Sequence, residues 1–404
     1  MTDQRSVFLC SSGALLLLGV MLASPLFLFA QASTPADPPA VPVPARAWRH
    51  GITADGLASF SYTYNTNVPG TRLNQFRVFD FNDDDPQLDV AQLVIQHPVG
   101  ESGRFGFRFN TIAGSGVPEV TASYGLFRNT TTGVAHHFDI PEFYLSYVAP
   151  VGKGLRFDVG KFVTHLGYEV IGGYDGYNDN FSRGFIFGYG VPFTHTGLKT
   201  SYTFNSRISS ALLITNGCDA VTELNGGVTF GGQLAAVTSK NTTLTFNFLH
   251  GPERPHNDHD MRSVYEVTGS WKMSSRFTFA FDSLYADEDR ASPDGSDAIW
   301  KGFAGYSKYS FTKKFSLAFR GEIFGDDGGS RTGISQTLRG FTVTPEYVLP
   351  VKATRLYSEF RHLDGKFVTR GEFRWDLSDH PTFQKGTSLT SSQFTTAVNL
   401  IYLF

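Results

Sequence analysis

From Trp48 onward, apolar and polar residues alternate along the chain. Phe105, Phe107 and Phe109 take one parity while Arg104, Gly106, Arg108 and Asn110 take the other. Leu244, Phe246 and Phe248 alternate with Thr243, Thr245 and Asn247, and Gly371, Phe373, Trp375 and Leu377 with Arg370, Glu372, Arg374 and Asp376. Successive side chains of a strand point to opposite faces, so each segment has one apolar and one polar face. The pattern predicts an all-β fold. Two architectures bury such strands: a soluble sandwich with its apolar face inward, and a membrane barrel with its apolar face to lipid and its charges in a wet lumen.

Three features favour the barrel. Short connections (240–241, 274–275, 313–314) alternate with long polar ones (114–139, 164–182, 287–297), as periplasmic turns alternate with outer loops. Strands in one direction are predicted near 51–64, 104–113, 154–163, 207–215, 241–250, 276–285, 314–324 and 366–377. Their partners fall near 87–97, 140–150, 183–204, 227–238, 262–273, 298–310, 337–349 and 391–404, which makes an even number. Pro192 interrupts 183–204, and 350–365 reads as an unusually long turn or a further strand. The third feature is the last segment, where Val398, Leu400, Tyr402 and Phe404 share a face. The expectation is a transmembrane antiparallel up-and-down β-barrel of about 16 strands, range about 14–18. Closure leaves no unpaired edge in lipid.

The first residues read differently. Arg5 precedes an apolar run from Gly13 to Ala30, and Ala30-Gln31-Ala32 has the small residues of a cleavage site. Residues 1–32 are therefore expected to be a signal peptide, 33–47 a proline-rich periplasmic linker, and 48–404 the barrel. Composition agrees with strands: 38 Phe and 17 Tyr are strand-favouring types. A net charge of -3 and the lack of a basic stripe argue against nucleic acid. Cys10 lies inside the signal segment, which leaves Cys218 without an internal disulfide partner.

Several motifs occur in a particular order. Asp158-Val159-Gly160-Lys161-Phe162 is followed by Asn180-Phe181-Ser182-Arg183, then Pro192-Phe193-Thr194-His195-Thr196-Gly197. Asn216-Gly217, His250-Gly251-Pro252-Glu253, Arg320-Gly321-Glu322 and Glu372-Phe373-Arg374-Trp375-Asp376-Leu377-Ser378 complete the series. In this order and spacing the chain resembles the OmpL-like family of outer-membrane porins (β-barrel porin 2) over roughly residues 50–404. The resemblance implies an outer-membrane location and a pore function, and brings no catalytic or ligand residues with it. Leu356 to Lys366 is extra relative to the family pattern.

The charged parity supplies the candidate pore lining: Arg104, Arg108, Arg156, Asp158, Arg320, Glu322, Arg370, Glu372, Arg374 and Asp376. Charged rings and pore diameter set which solutes pass. Arginines outnumber carboxylates in this set, a lean toward anions that depends on register. A barrel this wide holds an aqueous channel that something must narrow. The long connections 114–139 and 164–182 are the candidates, the second through Tyr168, Glu169, Tyr174, Asp175, Tyr177, Asn178 and Asp179, which suit stacking and hydrogen bonding to a sugar.

Tyr402 and Phe404 are the expected signal for the outer-membrane assembly machinery. His250, His256, Asp258, His259 and Asp260, and Asp83 to Asp85, lack a recognised ligand spacing, so no metal and no cofactor is expected. No nucleophile elbow, phosphate loop or zinc-protease motif is present, so no enzyme is expected. The expected partners are outer-membrane lipid, small hydrophilic solutes and, compatibly, further copies of the chain. The leading reading is a passive porin. The alternatives are a non-conducting receptor, adhesion or structural barrel, and a secreted soluble β-sandwich of lectin type.

Overall fold

The computed structural model describes residues 51–100, 103–171, 178–351 and 365–404. The signal segment and linker expected at 1–47 lie outside the described residues. Half of the barrel strands run one way: β1 (Thr53–Asn65), β3 (Phe105–Ala113), β5 (Leu155–Val163), β7 (Ile208–Cys218), β9 (Thr242–Pro252), β11 (Phe277–Glu288), β13 (Phe315–Asp327) and β15 (Gly365–Ser378). The other half return: β2 (Gln87–His97), β4 (Phe138–Ala149), β6 (Thr194–Thr203), β8 (Thr229–Ser239), β10 (Met261–Lys272), β12 (Ala298–Ser310), β14 (Gln336–Val351) and β18 (Ser392–Leu403). Each pairs antiparallel with its neighbours, and β18 pairs with β1, Leu57 opposite Leu403, so the barrel is closed. This is the all-β up-and-down architecture that the alternation predicts. Among the described residues no helix is long and apolar enough to cross a membrane.

Lipid supplies no hydrogen-bond partners, and the closed ladder satisfies the backbone without it. The outer face carries the apolar parity: Leu145, Phe303, Phe373, Trp375 and Val398 are all exposed. At the seam, Gly56 and Phe404 exchange backbone hydrogen bonds of 2.9 and 3.0 Å. A Cβ on Gly56 would sit 2.6 Å from the Phe404 ring, so this position has room only for glycine. The Tyr402 ring stacks on Phe404 with centroids 5.8 Å apart.

One expectation needs correction. The segment predicted as a strand over 183–204 is a strand only from Thr194; Ile186–Gly190 forms a single π-helical turn instead. Gly184, Gly188 and Gly190 weaken strand propensity, and Pro192 has no N–H to give a ladder. At 350–365, read as a long turn or a further strand, β14 and β15 pair directly with each other up to Val351 opposite Gly365, as a turn between them requires. Residues 352–364 are outside the described residues.

Apart from the connection 352–364, the turns at the end that holds Thr53 and Phe404 are short, and the long connections lie at the other end. Several long connections fold back into the barrel. Residues 66–86, 114–137 (carrying α1, Val117–Val120) and 164–193 all bury apolar side chains there, and so does the hairpin of β16 (Phe383–Lys385) and β17 (Ser388–Thr390). Phe76 joins three of them, packing edge-on against Tyr189 at 6.1 Å and Phe383 at 5.6 Å.

Candidate functional site: the occupied lumen

Strand parity decides which side chains reach the lumen, and pairing carries that parity around the barrel. On β13 it points Arg320 and Glu322 inward, on β15 Arg370, Glu372, Arg374 and Asp376, and all six are buried. They do not line open water, because segment 164–193 is folded against them. Burying such charges is costly unless each is paired and hydrogen-bonded, and here the partners come from the segment.

Arg320 donates to Glu169 Oε1 at 2.8 Å, the Ser182 carbonyl at 2.6 Å and Glu322 Oε1 at 3.1 Å. The Phe185 N–H donates to Glu322 at 2.6 Å, and the Gly184 N–H to Glu169 at 2.6 Å. Glu372 accepts the N–H groups of Phe181 (2.6 Å) and Ser182 (3.0 Å) and the Thr344 hydroxyl (2.8 Å). Arg374 donates to Asp376 at 2.7 Å and to the Arg183 carbonyl at 2.6 Å; Arg370 donates to Asn399 and, at 2.6 Å, to the Asn178 carbonyl. A Cβ on Gly184 would lie 2.7 Å from Glu322 Oε2, so glycine is what lets the backbone come this close to the carboxylates.

The anchoring continues around the wall. Both oxygens of Glu266 on β10 accept the Gly167 N–H, at 2.8 and 2.9 Å, and Asp282 on β11 accepts the Tyr168 N–H at 3.1 Å. Lys308 on β12 donates to Asp179 at 2.8 Å, and Trp300 Nε1 to the Gly190 carbonyl at 3.0 Å. Phe185 and Ile186 pack into one apolar cluster with Trp300, Phe324 and Leu284. Arg183 donates to the carbonyls of Val170, Ile171 and Phe181 and stacks over the Phe79 ring at 4.8 Å; burial lowers its guanidinium to about 10. At the root of the segment His165 Nε2 lies 2.9 Å from the Phe248 carbonyl, and burial lowers its imidazole to about 4.

The remaining predicted lumen residues also face inward on β3 to β5. Arg108 donates to Glu142 at 2.6 Å, and Arg156 to Asp158 at 2.8 Å. Arg104 does not: β3 starts at Phe105, which leaves Arg104 exposed in the turn at the barrel mouth. Tyr168, Glu169, Asn178 and Asp179 lie on the inward-folded segment; Tyr174, Asp175 and Tyr177 are outside the described residues. Residues 114–137 sit toward the long-loop end, where Tyr124 exchanges backbone hydrogen bonds with Asp219 and Val221 at 2.8 Å. Asp260, one of the loop carboxylates weighed for metal, is taken up by Arg254 and Arg290.

Below segment 164–193 a cavity of about 990 Å³ extends to the short-turn mouth, where Ser239, Lys240, Asn241 and Lys272 line it. Its inner end is formed by Leu166, Phe187, Val191 and Phe193. A family model described as putative beta-barrel porin-2, OmpL-like, matches residues 51–404.

The chain belongs to the OmpL-like β-barrel porin-2 family.

This family places it in the bacterial outer membrane as a porin. The fold agrees with those of solved outer-membrane channels. The outer-membrane channel DcaP of Acinetobacter baumannii superposes with a TM-score of 0.54 at 10% identity, over 89% of this chain and 99% of that one. The anion-selective porin of Comamonas acidovorans gives 0.53 at 9%, over 87% and 99%. In-vitro folded OmpT of Vibrio cholerae, in its trimer form, gives 0.52 at 11%, over 87% and 99%. At these identities the likeness is one of fold. No curated protein matches the chain by sequence.

Sequence reasoning missed Glu266, Asp282, Lys308, Trp300 and Arg183 as members of the lumen network. The first four follow from extending the same parity into β10, β11 and β12, since Glu266 shares a face with Thr268 and Ser270. Arg183 carries no periodic signal.

Proposed function

We propose that this OmpL-like porin passes small hydrophilic solutes by passive diffusion, and that segment 164–193 is the narrowing of its path. The observation that carries this reading is the ring of hydrogen bonds and ion pairs, from Glu266 on β10 to Arg374 on β15, that fixes the segment across the lumen above the cavity. The charged residues of β13 and β15 serve first to hold the narrowing and only secondarily to face a solute. No catalytic role belongs to this reading.

Tyr402 and Phe404 act as the recognition signal for the assembly machinery, which deletion of Phe404 tests through the yield of folded barrel in outer membranes. The trimer form of OmpT supports a homo-oligomer for this chain also.

The pore itself is tested in a planar bilayer with protein refolded in detergent. Discrete conductance steps are expected. A barrel that is folded by circular dichroism but electrically silent would turn the reading to a receptor or structural barrel.

A further inference from the structure

The wall opposite the charged strands has a different chemistry. Strands β7, β8 and β9 contain no Asp, Glu, Lys or Arg at all. Their inward positions hold hydroxyls and amides interspersed with the small or apolar Ala211, Leu213, Ala235 and Val237. Gln233 stands opposite Asn247 and donates to its Oδ1 at 3.0 Å; Thr245 stands opposite Thr268 on β10, and Thr243 opposite Ser270. All six line the cavity.

The charges that do reach this cavity are spoken for or lie at its rim. Glu142 is held by Arg108 and Glu169 by Arg320, while Lys240 and Lys272 sit exposed at the short-turn mouth. A small ion that sheds hydration needs an unneutralised charge or a ring of carbonyls in return, and the wall offers neither. A hydroxyl or a primary amide both donates and accepts. A sugar hydroxyl does the same, so it exchanges water for this wall at little net cost, whichever way each hydrogen bond runs.

We propose that the neutral wall of β7 to β9, continued by Thr268 and Ser270 on β10, is a track for uncharged, hydroxyl-rich solutes of saccharide type, and that the pore discriminates weakly between cations and anions. The inference rests on the pore reading above and names its solute class. The lysines at the mouth leave only a mild bias toward anions, which bulk salt screens.

The test compares three solutes of one size in liposome swelling: a neutral hexose, its carboxylate (aldonate) form as the potassium salt and its amino form as the chloride salt, so that a small permeant counterion keeps entry electroneutral. The neutral sugar should enter fastest, and the reversal potential under a KCl gradient should lie near zero. The double variant Thr245→Val and Thr268→Val keeps side-chain shape and removes two hydroxyls. It should lower the ratio of hexose flux to KCl conductance about fivefold, the size of one to two lost hydrogen bonds. Thr268→Asp should move the reversal potential toward cation preference, which shows that this wall faces the current. Open channels that favour a charged form over the neutral sugar, or double-variant channels with an unchanged flux ratio, would overturn this inference and leave the pore reading intact. Folded barrels silent in both assays would overturn the pore reading and this track together.

Discussion

Two walls of one barrel, β13 to β15 and β7 to β9, share antiparallel pairing and an apolar outer face, yet their lumen faces differ completely. The first presents Arg320, Glu322, Arg370, Glu372, Arg374 and Asp376 and is covered by segment 164–193. The second presents Ser, Thr, Asn and Gln among small apolar residues, with no charge, and borders the cavity. The difference teaches that charge in a lumen is not the same as charge facing a solute. A row of alternating signs can exist because the buried N–H and C=O groups of a loop backbone folded into the barrel need hydrogen-bond partners, and these side chains supply them.

The comparison can be broken most sharply at Arg320. Arg320→Met leaves Glu169 buried without its cation and takes from Glu322 the nearer of its two, Arg374 remaining at 3.6 Å, which should cost about 3–5 kcal/mol. Urea unfolding in detergent micelles reads that loss, and single-channel records should become noisier as the segment loosens. Glu372→Gln removes one charged acceptor from two N–H donors and should cost about 1–3 kcal/mol by the same measurement. An equal loss on both walls would dissolve the distinction.

His165 sharpens the comparison where the segment meets the neutral wall. Its folded value, about 4, lies below the ordinary 6.5, so the folded state favours the neutral imidazole. The stability this brings is complete above pH 6.5 and is lost as pH falls toward about 4. The melting temperature of His165→Gln should therefore depend less on pH across that window than the parent's. The smallest effect belongs to the neutral wall: Thr245→Val should change stability by less than about 0.5 kcal/mol. Its consequence should be seen in solute flux alone.

Much of the barrel was legible because lipid, backbone and period-two geometry leave few alternatives. Strand positions such as β9 and β13 fell within a few residues of the parity reading, for lipid-facing Phe246 and Phe319 mark the outer face without ambiguity. Segment 183–193 was not legible as a non-strand, since Phe185, Ile186 and Phe187 look like strand residues. The apolar surface of Phe185 and Ile186 is buried against Trp300 and Phe324, far away in sequence, and that of Phe187 against Phe193. Parity correctly pointed Glu372 and Arg374 inward. That their partners are main-chain atoms of Phe181, Ser182 and Arg183 is a tertiary fact no local pattern encodes.

The seam between β1 and β18 bears on biosynthesis. Leu57 meets Leu403 across nearly the whole length of the chain, so the cylinder can be shut only after its last residues exist. A chain stopped short of Ser392 would present two bare strand edges, on β1 and β15, each able to capture a foreign strand or a protease. Sealing of the wall in the membrane thus depends on β18, and a copy that lacks it carries its defect as two open edges.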